Sequence, residues 1–345
     1  MNPENTSKIL PQTGARVCAG QSGRGLAAFH ARSLQWAEKC DTVIISKYYE
    51  MARDAAARSR RMGGQLMMID DSFFWFKRTR LVIPGVQGTH LLMHITDTHI
   101  SAIDEDSTPE EKAECEKQEA LWADFKEKFA RGKLPFSQGN DEPYGEAQKI
   151  STVEAFEKQL ALARELKPEV LLLSGDNLDH MHPAGERYLK KKLAEYGGRF
   201  LCVPGNHEDP ACGGLWAPGV RTLELEGFRI AAVDDSRRTV SDADLKALKA
   251  LCAEGIPMIV LCHVPLSTRM CQEEMRRIMD YFYIDWETAD ENGKAFISLC
   301  EECDAVRAVL CGHVHGYHEM EYAPGKLQVI GSQGMAGAVH LLTVE

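Results

Sequence analysis

Apolar positions along this chain follow two regimes. Near the N-terminus they recur at helical spacing. Leu26, Phe29, Leu34 and Ala37 predict one helix, and Ile45, Tyr48, Ala52 and Ala56 a second, capped by Asp41 and stopped by Gly63-Gly64. Residues 73–83 are then rich in aromatic and β-branched side chains. Pro84-Gly85 signals a turn before the apolar run 91–96, so this segment predicts a β-hairpin. Further runs at 170–174, 200–204, 228–233, 258–262 and 305–311 read as buried strands. Helices are predicted between them at 153–166, 184–196 and 242–252, the last with Ser241 as its N-cap. Residues 318–344 read as three strands parted by Pro324-Gly325 and by 331–337. Alternation followed by a strand-rich tail indicates an α/β core with mixed sheets.

One stretch breaks the rhythm. Residues 104–150 are strongly charged, with a helix predicted over 109–131 and then a Pro/Gly-punctuated segment. We read it as an insertion in a domain spanning 71–345, either a lid over a site or a solvated charged helix with its loop. Residues 1–70 read as an N-terminal helical extension. No internal repeat is present.

Composition narrows the classes. The net charge of −11 argues against a general nucleic-acid or anionic-membrane binder, both of which need a basic face. It does not exclude a small anionic substrate, because charge beyond about 8 Å is screened. No apolar run approaches the roughly 20 residues of a membrane span, and residues 1–17 hold no hydrophobic leader segment. The eleven cysteines are odd in number, and Cys202, Cys262 and Cys311 sit in or at the ends of predicted strands. That suits packing residues in a reducing compartment, so a cytoplasmic location is expected.

The chemistry lies in five short clusters, each after a predicted buried strand: Asp97-Thr98-His99, Gly175-Asp176 with Asp179, Gly205-Asn206-His207-Glu208, His263, and Gly312-His313-Val314-His315. Residues i and i+2 of a strand point the same way, so Asp97 with His99, and His313 with His315, can face one site. Asp176 is a carboxylate able to bridge two cations, while Asn206 and His263 add neutral donors. Oxygen and imidazole donors without thiolate suit Mn, Fe or Zn. Two divalent ions against Asp97 and Asp176 leave about +2 to attract a phosphate, and a bridging hydroxide would attack it in line. His207 follows a ligand and is the expected general acid. The Asp179 carboxylate is expected to hold its other ring nitrogen.

This series resembles the calcineurin-like metallophosphoesterase superfamily, whose pattern D-x-H, G-D-x-x-D, G-N-H-[D/E], H, G-H-x-H stands here without a substitution. The resemblance covers roughly residues 73–345. It implies a four-layer α-β-β-α sandwich, two mixed β-sheets flanked by helices. It also implies two metals, one on Asp97, His99, Asp176 and His315, the other on Asp176, Asn206, His263 and His313, with His207 and Asp179 as the acid dyad. Asp179 stands where purple acid phosphatases carry a tyrosine, and Val203-Pro204 where Ser/Thr protein phosphatases have Leu-Arg. What remains resembles the bacterial group that includes class III cyclic-nucleotide phosphodiesterases. The expected function is hydrolysis of a small phosphate ester, a diester before a monoester. The rival is a non-catalytic scaffold on the same fold, against which the complete ligand set speaks. Sequence does not choose a phosphate clamp among Arg187, Arg221, Arg237, Arg238 and Arg269, and reads His180 and His182 as loop histidines. Oligomeric state is not legible.

Overall fold

A computed structural model describes residues 73–131, 149–208, 214–278 and 282–345. The two predicted N-terminal helices lie outside the described residues, as do residues 132–148 of the expected insertion at 104–150.

Two sheets form the centre. The first runs β1 (Trp75–Leu81), β13 (Ala338–Val344), β2 (His90–Ile95), β3 (Val170–Ser174), β4 (Phe200–Val203). The second runs β11 (His318–Ala323), β12 (Lys326–Ile330), β10 (Val306–Cys311), β7 (Met258–Leu261), β6 (Phe228–Ala232), β5 (Arg221–Leu225). Both are mixed. The runs β2-β3-β4 and β12-β10-β7-β6 are parallel, as is the pair β1-β13, and the remaining pairs are antiparallel. A short parallel pair, β8 (Leu266–Ser267) and β9 (Ile284–Asp285), lies apart.

The period-2 pattern of the buried strands explains the layering. Val170 and Leu172 join Leu201, Val203, Phe228, Ile230, Ile259, Leu261, Ala308 and Leu310 in the core between the sheets. Their neighbours Leu171 and Leu173 face the other way, onto Phe156, Leu160 and Ala163 of α2 (Thr152–Leu166) and Leu189 and Leu193 of α3 (Pro183–Tyr196). Met258 and Val260 meet Leu245 and Leu248 of α4 (Asp242–Ala253) and Phe296, Ile297 and Cys300 of α6 (Glu291–Glu302). Strands buried on both faces read as continuous apolar runs for this reason. The architecture is the expected α-β-β-α sandwich. Two further helices are α1 (Pro109–Ala130) and the short α5 (Gln272–Ile278).

The predicted hairpin does not form. β13 inserts between β1 and β2, parallel to the first with Trp75 opposite Ala338 and antiparallel to the second with His94 opposite His340. The Pro84-Gly85 turn reports a reversal of direction, which occurs. It says nothing of adjacency, which a strand more than 240 residues later takes.

The insertion helix α1 is built as its sequence suggests. Thr108 and Glu111 form a reciprocal capping box, and Pro109 occupies the first turn. It is not a freely solvated helix. Lys126 is 1% exposed and donates to the Ile150 carbonyl at 2.8 Å, while the Glu119 carboxylate accepts the Thr152 amide at 3.0 Å.

Candidate metal centre

All five clusters leave the carboxyl ends of parallel strands: β2, β3, β4, β7 and β10. That edge is where open α/β sheets collect ligands. The chain then turns sharply. Asp97, His99, Asp176, His313 and His315 have φ of 52, 42, 47, 72 and 61°, and among the described residues only two other non-glycines, Lys167 and Arg238, are left-handed. Such backbone costs of order 1–3 kcal/mol per residue and clusters at functional sites. It also revises the reason for convergence. Asp97 with His99 and His313 with His315 lie beyond their strands, so left-handed turns, not strand alternation, aim them.

Two donor clusters share one carboxylate. Asp97, His99, Asp176 and His315 each place a donor atom within 4.8 Å of the others, and so do Asp176, His263 and His313. The His99 and His315 Nε2 atoms are 3.0 Å apart, and His315 Nε2 is 3.3 Å from Asp97 Oδ1. Across Asp176, its Oδ2 lies 3.3 Å from His263 Nε2, which is 3.1 Å from Asn206 Oδ1. The His263 Nδ1–H donates to the Ser174 carbonyl at 2.8 Å, leaving its Nε2 lone pair facing two oxygens. Lone pairs this close need a proton or a metal ion between them. Donors sharing an octahedral ion at about 2.1 Å lie about 3 Å apart, so these residues fit a pair of metal ions.

The electrostatics agree. Burial opposes charge on Asp176, yet the imidazoles of His263, His99 and His207 hold it well below the usual carboxylate range. Burial likewise works to lower the His263 pKa, but Asp176, Asp97 and Asp235 outweigh it and push it up to about 10. A proton there stands where a metal would. His313, driven down to about 3 by burial and by His263, is neutral and free to ligate. Close backbone approach is required too: a Cβ on Gly205 would collide with the Asp176 carboxylate, and one on Gly175 with the His263 ring.

His207 lies at the rim, its side chain 33% exposed, with its amide donating to Asp176 Oδ1 at 3.0 Å. Its Nδ1–H donates to Asp179, but to the main-chain oxygen at 2.5 Å. The carboxylate is 3.8 Å away. That carboxylate instead accepts the Trp122 indole N–H at 2.7 Å and lies 3.5 Å from His99 Nδ1.

Several residues at the centre were not singled out from sequence. Trp122, on α1, lies 4.1 Å from the His99 ring centroid to centroid, and Phe125 lies 5.3 Å from His315. Nothing in a charged helix marks them. Glu208, which the sequence places in the third cluster without a role, is buried and accepts the amides of Gly205 (2.5 Å) and Leu178 (2.7 Å), bracing that cluster against the second. Burial raises its pKa to about 7. Asp235 accepts the His263 amide at 2.7 Å, and burial raises it to about 6. Its signal, an acid just past the run 228–233, was present and unread. Of the five arginines, Arg237 reaches the site, donating to the Asn206 and Glu208 carbonyls at 3.3 Å. Arg187 pairs with Asp104, Arg221 holds the Leu215 and Cys202 carbonyls, and Arg269 sits over Trp286. His182 is not a solvated loop residue; it is buried as the N-cap of α3.

The chain is similar to several known proteins. A probable cyclic nucleotide phosphodiesterase of Synechococcus sp. is 25% identical over 164 residues, which cover 44% of this chain and 60% of that relative. Among solved structures, a dimetal phosphatase from Danio rerio is similar at 10% identity, covering 72% of this chain and 88% of that one with a TM-score of 0.43. A purple acid phosphatase from yellow lupin (Lupinus luteus) is similar at 11% identity, covering 73% and 45% with a TM-score of 0.41. The family model for calcineurin-like phosphoesterases matches residues 90–317, and the chain belongs to that family.

Proposed function

We propose that this protein hydrolyses small phosphate esters, diesters in preference to monoesters, at a centre of two metal ions drawn from Mn, Fe or Zn. One observation supports this above the others: the Asp176 carboxylate is common to two donor clusters. Asp97, His99, Asp176 and His315 would hold one ion, and Asp176, Asn206, His263 and His313 the other. When bound, such ions lower the pKa of coordinated water towards neutrality and screen the phosphoryl oxygens.

The chain's own residues do the rest. His207, with Nδ1–H tied to the Asp179 carbonyl, presents Nε2 outward. It delivers a proton to the departing oxygen, which a diester's alkoxide needs to leave at neutral pH. Trp122 and Phe125 wall the side of His99 and His315, so α1 limits what reaches the centre. The Synechococcus relative's description as a probable cyclic nucleotide phosphodiesterase points the same way. Among the described residues no helix is long and apolar enough to cross a membrane. With eight described cysteines all free, we place the protein in a reducing, cytoplasmic setting.

The test is turnover of an aromatic phosphodiester and its matching monoester by Mn²⁺-loaded protein, with Asp97→Ala alongside. Metal-dependent diester turnover lost in the variant is expected. Faster monoester turnover would reverse the preference. Absence of both turnover and bound metal would leave the scaffold reading.

A further inference from the structure

A third cluster of ligand atoms lies behind Asp179, outside the two described above. Cys115 comes from the N-terminal third of α1, His180 from the loop after the second motif, and His182 from the N-cap of α3. Their Sγ and ring-nitrogen atoms all fall within 4.8 Å of one another. Cys115 Sγ is 3.7 Å from His182 Nε2. Sulfur and nitrogen ligands at about 2.3 and 2.05 Å round a tetrahedral zinc lie about 3.6 Å apart. The His180 and His182 rings stack with centroids 4.7 Å apart.

We propose that Cys115, His180 and His182 form a zinc site with one position open to water, separate from the dinuclear centre and tying α1 to the loop that carries Asp179. The donor set differs in kind from that of the main centre, which holds no thiolate; one sulfur with two imidazoles selects a borderline-soft ion. His180 Nδ1 lies 3.4 Å from Asp179 Oδ2, so the carboxylate orients that ring with Nε2 free, the usual support for a zinc histidine. The surroundings are anionic. Burial first, then the carboxylates of Asp179, Glu111, Glu119 and Glu114, push the thiol pKa up to about 11; a metal must displace that proton, and the same anionic field attracts the metal. Ligation through His182 Nε2 gives up its capping contact to the Gly185 amide. At 3.4 Å that bond is long, and its loss is small beside ligation of a divalent ion.

Cobalt reads the site out without any activity assay. Thiolate-to-cobalt charge transfer absorbs in the near ultraviolet, and the main centre has no thiolate to produce it. Co²⁺-loaded wild type should show the band, Cys115→Ser should lose it together with about one equivalent of zinc by elemental analysis, and His180→Ala should weaken it. Asp97→Ala should keep it, which separates this proposal from the ester-hydrolysis reading. A band equally strong in Cys115→Ser, no band in wild type, or a band lost in Asp97→Ala would overturn the proposal.

Discussion

The imidazole Nδ1 of His207 is held by the main-chain oxygen of Asp179 at 2.5 Å, while the Asp179 carboxylate turns towards Trp122 and His99. One residue thus holds His207, the proposed proton donor, with its backbone and faces His99, a proposed metal ligand, with its side chain. Substituting either residue should separate the two roles. His207→Ala should lower kcat by about 10²–10⁴ with both metals retained. Asp179→Asn keeps the carbonyl, so its main effect should be on metal affinity at the His99 side. Elemental analysis beside kcat decides; metal loss in His207→Ala would show the acid role to be wrong.

Trp122 supports His99 through that same carboxylate. Trp122→Phe keeps the aromatic face against His99 and removes the N–H. Loss of a hydrogen bond to an ionised oxygen should cost about 1.5–3 kcal/mol of stability. Metal affinity should fall about 10–100-fold, as when ligand-supporting contacts are lost. Competitive metal titration checks this, and unchanged affinity would reduce Trp122 to a wall residue.

Asp176 is the link between the two clusters. Asp176→Asn should empty both positions, whereas His313→Ala should deplete only the one it shares with Asn206 and His263. Retention of two ions at wild-type affinity in Asp176→Asn would refute the bridge.

Gly205 is fixed by contact. Its missing Cβ leaves room for the Asp176 carboxylate and main-chain nitrogen. Gly205→Ala should destabilise by about 1–3 kcal/mol through overpacking and weaken metal binding with it. Urea unfolding with and without metal separates the two effects.

The buried pair His94 and His340 predicts acid sensitivity. Their Nδ1 atoms are 3.3 Å apart, and His94 Nε2 meets Ser174 Oγ at 2.6 Å while His340 Nε2 meets Thr79 Oγ1 at 2.8 Å. Burial lowers His94 to about 4 and His340 well below its ordinary value. Below pH about 6.5 the unfolded chain takes up protons that the folded one refuses, so stability falls with falling pH and is fully present above that value. Each ring should contribute a slope of up to about 1.4 kcal/mol per pH unit between its unfolded and folded pKa. Denaturant unfolding of wild type and His340→Gln between pH 5 and 7 measures it; equal slopes would exclude the pair as the cause.

By itself the sequence determined most of the strands and helices among the described residues and singled out the candidate ligand set. Val170 to Ser174 or Met258 to Cys262 could hardly be anything but doubly buried strands, and polar residues placed just past such runs emerge at the sheet edge. These features are local, set by periodicity, caps and spacing. Tertiary structure decided what local pattern does not encode. It put β13 between β1 and β2, because strand adjacency depends on a partner far along the chain. It fixed the left-handed turns at Asp97, His99 and Asp176 that aim the ligands, since those conformations are imposed by the loops packed round them. It brought Trp122 of a charged helix against His99 and Cys115 against His182, because such contacts arise only where α1 docks. And it chose which atom of Asp179 meets His207, a matter of backbone conformation that no residue spacing records.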